Sequence, residues 1–294
     1  MFADPGRHRR LWVLVLGILG CAHSPRPTSA PAPSNVTATA CALPAAAEIL
    51  DPSATELHQV WDFAEDERCL QPAQNQDPIP PLDPVLVAYQ QAVRARTDVD
   101  PQALIRRQRG VFLASQNPAL HAETRVSGPI LDGSIGQIGP MSLLDMRLLT
   151  VQMQRHPMLT QPSEFTSFIL RRQSPDGKRL RVYFSSFARS GGRMNHKVRE
   201  RVEADLRAGY ALIAHLHNHP FLFDRVVGDA SWTRDDTKDD IAGALPPSVT
   251  DIQYYGGLLD EAALGCARVT NGFQTLVLSP KEIRALATRS KASP

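Results

Sequence analysis

The chain lacks the features that would place it in several large classes. It has four cysteines in 294 residues, and none stands in a C-x-x-C spacing, which disfavours a cysteine-based zinc site. An excess of one charge is missing too: 32 Lys and Arg stand against 30 Asp and Glu, a formal net charge of +2. Without a global field to gather a polyanion, nucleic acid is not expected as a partner. The apolar run from Leu11 to Leu19 is too short, at ~1.5 Å rise per residue, to cross roughly 30 Å of hydrocarbon on its own. What the chain does have is length. At 294 residues it has room for one full-sized domain plus a smaller region, or two modest domains, and it can bury a real core without staples. Proline is frequent, with 24 residues, many of them in the first hundred positions. That composition implies irregular or extended chain early on, with the packed domain later.

Arg7, Arg9 and Arg10 precede the apolar run, the order of a charged region followed by a short apolar one, and predict a signal peptide over 1–20. Ile18-Leu19-Gly20-Cys21 resembles the bacterial lipobox, in which an aliphatic residue and then a small one lead into a cysteine that is lipidated and becomes the mature N-terminus. The resemblance implies a lipid on Cys21 and anchoring to a membrane through several acyl chains. Ala22 in place of an Asp after it implies the periplasmic face of an outer membrane. An ordinary signal peptide with an incidental cysteine is the plainer alternative. With Cys21 used, Cys41, Cys69 and Cys266 remain, an odd number for an oxidising compartment. Cys41 with Cys69 is the expected disulfide, because both lie in the irregular region while Cys266 sits in an apolar segment that reads as a buried strand.

From 21 to 45 the sequence is Ser, Thr, Ala and Pro, too poor in large apolar groups to offset the entropy of ordering, and reads as a disordered linker. Three helical patterns follow within 46–126, from Ser53 to Cys69, Pro84 to Arg96 and Pro101 to Ser115, and predict a small helical region. Gly128, Gly133, Gly136 and Gly139 mark the boundary, within Ser127 to Pro140. Beyond it, Met141 to Gln154 reads as a helix and Phe165 to Arg171 as a strand. Arg179 to Phe187 is its hairpin partner across Ser174-Pro175-Asp176-Gly177. Asn195 to Arg207 reads as a helix closed by Gly209, and Tyr210 to His217 as a strand. Ser248 to Leu264 reads as a helix, and Cys266 to Val269 and Phe273 to Leu278 as strands joined across Asn271-Gly272. The order α-β-β-α-β-α-β-β predicts an α/β or α+β domain over 136–288, a mixed sheet flanked by helices.

Three of the nine histidines fall together in His215-Leu216-His217-Asn218-His219-Pro220. On a strand, residues two apart share a face, so His217 and His219 can reach one ion while Asn218 points away, and Pro220 ends the ladder. His215 shares that face, which leaves His215 with His217 as a rival pair. Downstream, Pro247-Ser248-Val249-Thr250-Asp251 puts a hydroxyl and a carboxylate three apart at a helix start. Taken alone, that spacing reads as a capping box.

His217-x-His219-Pro220 followed by Pro247-Ser248-x-x-Asp251, with an upstream Glu on a strand, resembles the signature of the JAB/MPN (JAMM) zinc metallopeptidase family, and of its RadC branch in particular. The resemblance spans about 141–280, roughly half the chain. It implies a cytidine-deaminase-like mixed sheet and a Zn2+ held by His217, His219 and Asp251, with one position open to solvent. It also implies Glu164 as general base and Ser248 as hydrogen-bond donor to the oxyanion. Glu164 fits the family's Glu, some fifty residues before the His pair on the first strand after a helix; Glu200 and Glu203, on the helical pattern before the His strand, are alternatives.

Two departures stand out. Residues 220–247 intervene where the family has a short gap, and they are acidic: Asp224, Asp229, Asp235, Asp236, Asp239 and Asp240 against Arg225, Arg234 and Lys238, with Thr233-x-x-Asp236 able to compete for the ligand role. Thr166-Ser167 replaces the glycines common after the family Glu. The resulting expectation is a zinc metallopeptidase or isopeptidase in the cell envelope, acting on a peptide, protein or peptidoglycan-peptide substrate. Its competitors are a binding module of the same fold without chemistry and a lipoprotein with a purely structural zinc.

Overall fold

The computed structural model describes residues 41–76, 81–160, 163–188, 195–221 and 243–291. The expected signal peptide, Cys21 and most of the acidic insertion, Thr233 and Asp236 included, lie outside the described residues. Of the linker expected to reach 45, Cys41 is already buried and joined to Cys69 by a disulfide, while Cys266 is a buried thiol that donates to the Ile213 carbonyl.

Three helices start alike, with an Asp or Asn cap followed by Pro in the first turn. They are α1 (Pro84–Arg94) after Asp83, α2 (Pro101–Ala114) after Asp100 and α3 (Pro118–Leu131) after Asn117. The third takes in residues read as a boundary. Gly128 and Pro129 usually punctuate, but here burial of Val126, Pro129 and Ile130 holds them in the last turns of a helix.

Another expectation fails. The helical pattern from Ser53 to Cys69 is instead a strand followed by a 3-10 turn at Glu67–Cys69. With a short strand β1 (Glu48–Ile49), this strand β2 (Leu57–Ala64) opens the fold, and it pairs in unbroken register with a later strand, from Leu57 opposite Ser186 to Ala64 opposite Arg179. Cross-strand pairing decides the matter, because Asp62 receives both Arg179 and Arg181 from that neighbour, a reward the local periodicity does not register. The region 46–126 is therefore not wholly helical, and its strands belong to the main sheet.

The remaining elements are β3 (Gln137–Pro140), α4 (Leu143–Arg155), β4 (Phe165–Ser174), β5 (Gly177–Ser186), α5 (His196–Arg207), β6 (Ala211–Asn218), α6 (Val249–Ala262), β7 (Ala267–Thr270), β8 (Gln274–Leu278) and α7 (Pro280–Lys291). The eight described strands form one mixed sheet in the order β1-β2-β5-β4-β6-β7-β8-β3. Every described neighbouring pair is antiparallel except β6 with β7. One face, with Phe165, Ile169, Val182, Phe184 and Leu216, packs on α1 and α4. The other, with Phe168, Leu170, Tyr183 and Val269, packs on residues of α3, α5, α6 and α7. The fold is thus mixed α/β, and none of the described helices is long and apolar enough to cross a membrane.

The parallel step decides where a site can form. Joining β6 to parallel β7 needs a crossover, and α6 provides it. The amino end of α6 consequently meets the carboxyl end of β6, the region where sheets of this kind leave a crevice.

Candidate metal centre

Strand β6 delivers the histidines. Its alternation sends His215 and His217 towards α6 and turns Asn218 to the opposite face. There Asn218 accepts from the Phe165 amide at 2.7 Å and donates to the Ser163 carbonyl at 3.2 Å, bracketing Glu164 at the start of β4. His219 keeps to the ladder beyond the strand, its amide donating to Thr270 O at 2.8 Å.

The outer nitrogen of each ring fixes the inner one. His219 Nδ1 lies 2.8 Å from the carbonyl of Ala244. A carbonyl only accepts, so Nδ1 carries a hydrogen, and in the neutral ring Nε2 presents a lone pair. His217 Nδ1 lies 2.7 Å from the Tyr255 hydroxyl, which can accept in the same way. The two Nε2 atoms stand 3.1 Å apart, and Asp251 Oδ2 is 3.8 Å from each. Ligands ~2.0–2.1 Å from a tetrahedral zinc lie about 3.3 Å from one another, so these separations are close to those of a loaded site. Among the described residues His217, His219 and Asp251 form the one group whose ligand atoms, all within 4.8 Å of one another, could hold a metal ion.

The electrostatics point the same way. Burial pushes His217 down to about 4 and His215 down to about 3. Burial also works against the charge on Asp251, yet His217, His219 and Ser248 hold its carboxyl well below the ordinary range. Against burial, the neighbouring Asp251 raises His219 above its ordinary value. At neutral pH the pocket thus holds a neutral His217 and an ionised Asp251, the states a divalent cation requires of such ligands. Two nitrogens and one carboxylate oxygen are the donor set of a three-ligand zinc site.

Ser248 and Asp251 do make the capping box, and that does not remove them from the site. Ser248 is the N-cap of α6; its Oγ accepts from the Asp251 amide at 3.1 Å, and Asp251 Oδ2 accepts from the Ser248 amide at 2.8 Å. The cap sets the angle at which Asp251 faces the imidazoles. It also occupies the Ser248 hydroxyl, which donates to Asp251 Oδ2 at 2.8 Å.

The rival residues stand elsewhere. His215 Nε2 is engaged 2.7 Å from Thr166 Oγ1 and is outside the ligand group. Glu200 is exposed on α5, and Glu203 pairs on the same helix with Arg199. Glu164 is better placed. It stands two residues before Thr166, which sits opposite His217 across the β4/β6 ladder, and its charge acts on both His219 and Tyr255.

Two residues at the centre went unseen in the sequence. Tyr255 lies four positions after Asp251 on the same helical face, and that spacing was a usable signal. Glu123 left none: it is half-buried on α3, accepts the Val249 amide at 2.9 Å, and burial pushes its carboxyl up to about 7. The chain matches no protein-family model, no curated protein and no solved structure, so the side-chain geometry at the carboxyl end of β6 is what bears on function.

Proposed function

We propose that this chain is a zinc-dependent metallopeptidase or isopeptidase of the JAB/MPN type, hydrolysing amide bonds in the cell envelope. The observation that carries the reading is the convergence of His217 Nε2, His219 Nε2 and the Asp251 carboxylate, with the charge of Glu164 acting on His219. Zinc held by these three residues would lower the pKa of a water towards about 7 and polarise the scissile carbonyl. Glu164 then takes the proton of the attacking water and returns it to the leaving amine. Ser248 serves the oxyanion only if its hydroxyl turns away from Asp251. That commitment of Ser248 favours a second reading, a binding module of the same fold without catalysis.

The lipobox-like Ile18-Leu19-Gly20-Cys21 supports export and lipid anchoring through Cys21, and the Cys41–Cys69 disulfide agrees with an oxidising compartment. That location makes envelope proteins or peptidoglycan peptides the substrates of choice. The test is zinc content and peptide hydrolysis of the full chain. Stoichiometric zinc, lost in Asp251→Ala, together with hydrolysis abolished in Glu164→Gln while zinc is retained, supports the enzyme. Zinc bound with every measured behaviour unchanged in Glu164→Gln favours the binding module, and a wild-type protein without zinc ends the enzyme reading.

A further inference from the structure

The amino end of α6 has a donor that the capping box does not reach. The first turn of any helix leaves its leading amides without partners inside the helix. Here Ser248 Oγ takes the amide of Asp251, and Asp251 returns the bond to the amide of Ser248. The amide of Val249, two positions before the ligand carboxylate, is left over by that exchange. It is taken by Glu123, from a helix 126 positions earlier, at 2.9 Å.

The placement of Glu123 follows from the packing of α3. Glu123, Val126, Ser127 and Ile130 are spaced three and four apart and share one side of the helix. Val126 and Ile130 are buried in the same cluster as Ile252 and Tyr255 of α6, so the side of α3 that seals against α6 also delivers Glu123 to the end of α6 that bears Asp251. Glu123 is not itself in the ligand group.

We propose that Glu123 is a positioning residue of the metal centre: by accepting the Val249 amide it fixes the first turn of α6 and hence the carboxylate of Asp251. The proposal rests on the reading of His217, His219 and Asp251 as a metal site. It makes α3 part of the working unit, where the sequence suggested a boundary just after Val126.

The experiment measures zinc affinity of the full chain by competition with a chromophoric chelator, in wild type, Glu123→Ala, Glu123→Leu, Glu123→Gln and Asp251→Ala. Outer partners of ligands typically shift metal affinity ~10–100-fold, so Glu123→Ala and Glu123→Leu should bind zinc at least about tenfold more weakly. Glu123→Gln keeps an oxygen acceptor and should restore nearly wild-type binding; a role confined to general packing would lower the thermal midpoint of the metal-free protein without this split. Zinc bound as tightly by Glu123→Ala or Glu123→Leu as by wild type overturns the proposal. So does Glu123→Gln as weak as Glu123→Ala, and this second comparison stands even if the Leu variant does not fold. Failure of the underlying reading looks different, since wild type then binds no zinc, or Asp251→Ala binds it undiminished.

Discussion

Tyr255→Phe isolates one hydrogen bond at the centre. The ring of Tyr255 is fully buried among Ile252 and Leu259, and Phe keeps that packing while removing the oxygen 2.7 Å from His217 Nδ1. Two costs follow. The buried Nδ1 loses its partner, a penalty of about 1–3 kcal/mol in the metal-free protein. The ring of His217 is also freed to rotate away from the ion, and loss of such an outer partner weakens metal binding ~10–100-fold, or about 1.4–2.8 kcal/mol. The two separate by linkage. At free zinc a thousandfold above the wild-type Kd, binding stabilises the native state by about 4.1 kcal/mol; the variant at the same zinc should gain only about 1.4–2.7 kcal/mol. At roughly 2–4 °C per kcal/mol for a chain of this size, the zinc-induced rise in Tm should shrink by about 3–11 °C. Thermal unfolding with and without zinc, alongside a chelator titration, reads both quantities. A Tyr255→Phe protein with wild-type zinc affinity would falsify the claim that this hydroxyl orients His217, whatever happened to its metal-free stability.

Other consequences can be checked independently. Reducing the Cys41–Cys69 bond, which closes a sequence separation of 28, should lower stability by about 3.5 kcal/mol on the chain-entropy account, seen as a lower denaturation midpoint in Cys41→Ser/Cys69→Ser; an unchanged midpoint would refute it. Arg268 lies buried against a fully buried Asp145, at 2.5 Å, and Arg268→Ala should destabilise by about 3–5 kcal/mol in urea unfolding, whereas an apolar replacement of both partners should recover most of the loss. Zinc affinity should fall with acid, because of the three ligands only His219 is raised above its ordinary 6.5, while His217 stays neutral down to about 4 and Asp251 stays ionised. Below the His219 pKa the Kd should rise about tenfold per pH unit, and a flat profile there would contradict the ligand set. In the metal-free protein the same group works in the opposite direction, since its stabilising charge is fully present below 6.5 and is lost as pH rises through the raised value.

What the sequence disclosed of the centre was what short-range geometry dictates. Strand alternation alone sends His217 and His219 to one side and Asn218 to the other, and three-residue spacing in a first turn alone sets Ser248 beside Asp251. The hairpin from β4 to β5 and the turn at Asn271-Gly272, with Gly272 at φ +91, were legible for the same reason. The failures share a different cause. β2 looks helical until β5 is laid beside it, and α3 looks like a boundary until its apolar side is sealed against α6 and α7. Glu123 reaches the centre only through that long-range packing, so no local pattern could have announced it.

The same packing bears on what a bound metal would be for. His217 is held by Tyr255, His219 by Ala244, Asp251 by Ser248, and the first turn of α6 by Glu123; none of these four supports is itself a ligand. Domains that need zinc in order to fold lack such scaffolding and gain their order from the ion. Here the three ligand atoms stand on elements whose other faces lie in two large apolar clusters, which hold those elements without help from an ion. A site braced by its own supports has little use for an ion as a staple. If zinc binds, chelation should therefore lower Tm only by mass action and leave the fold intact, and a chain that unfolds outright when stripped of metal would show the centre to be structural instead.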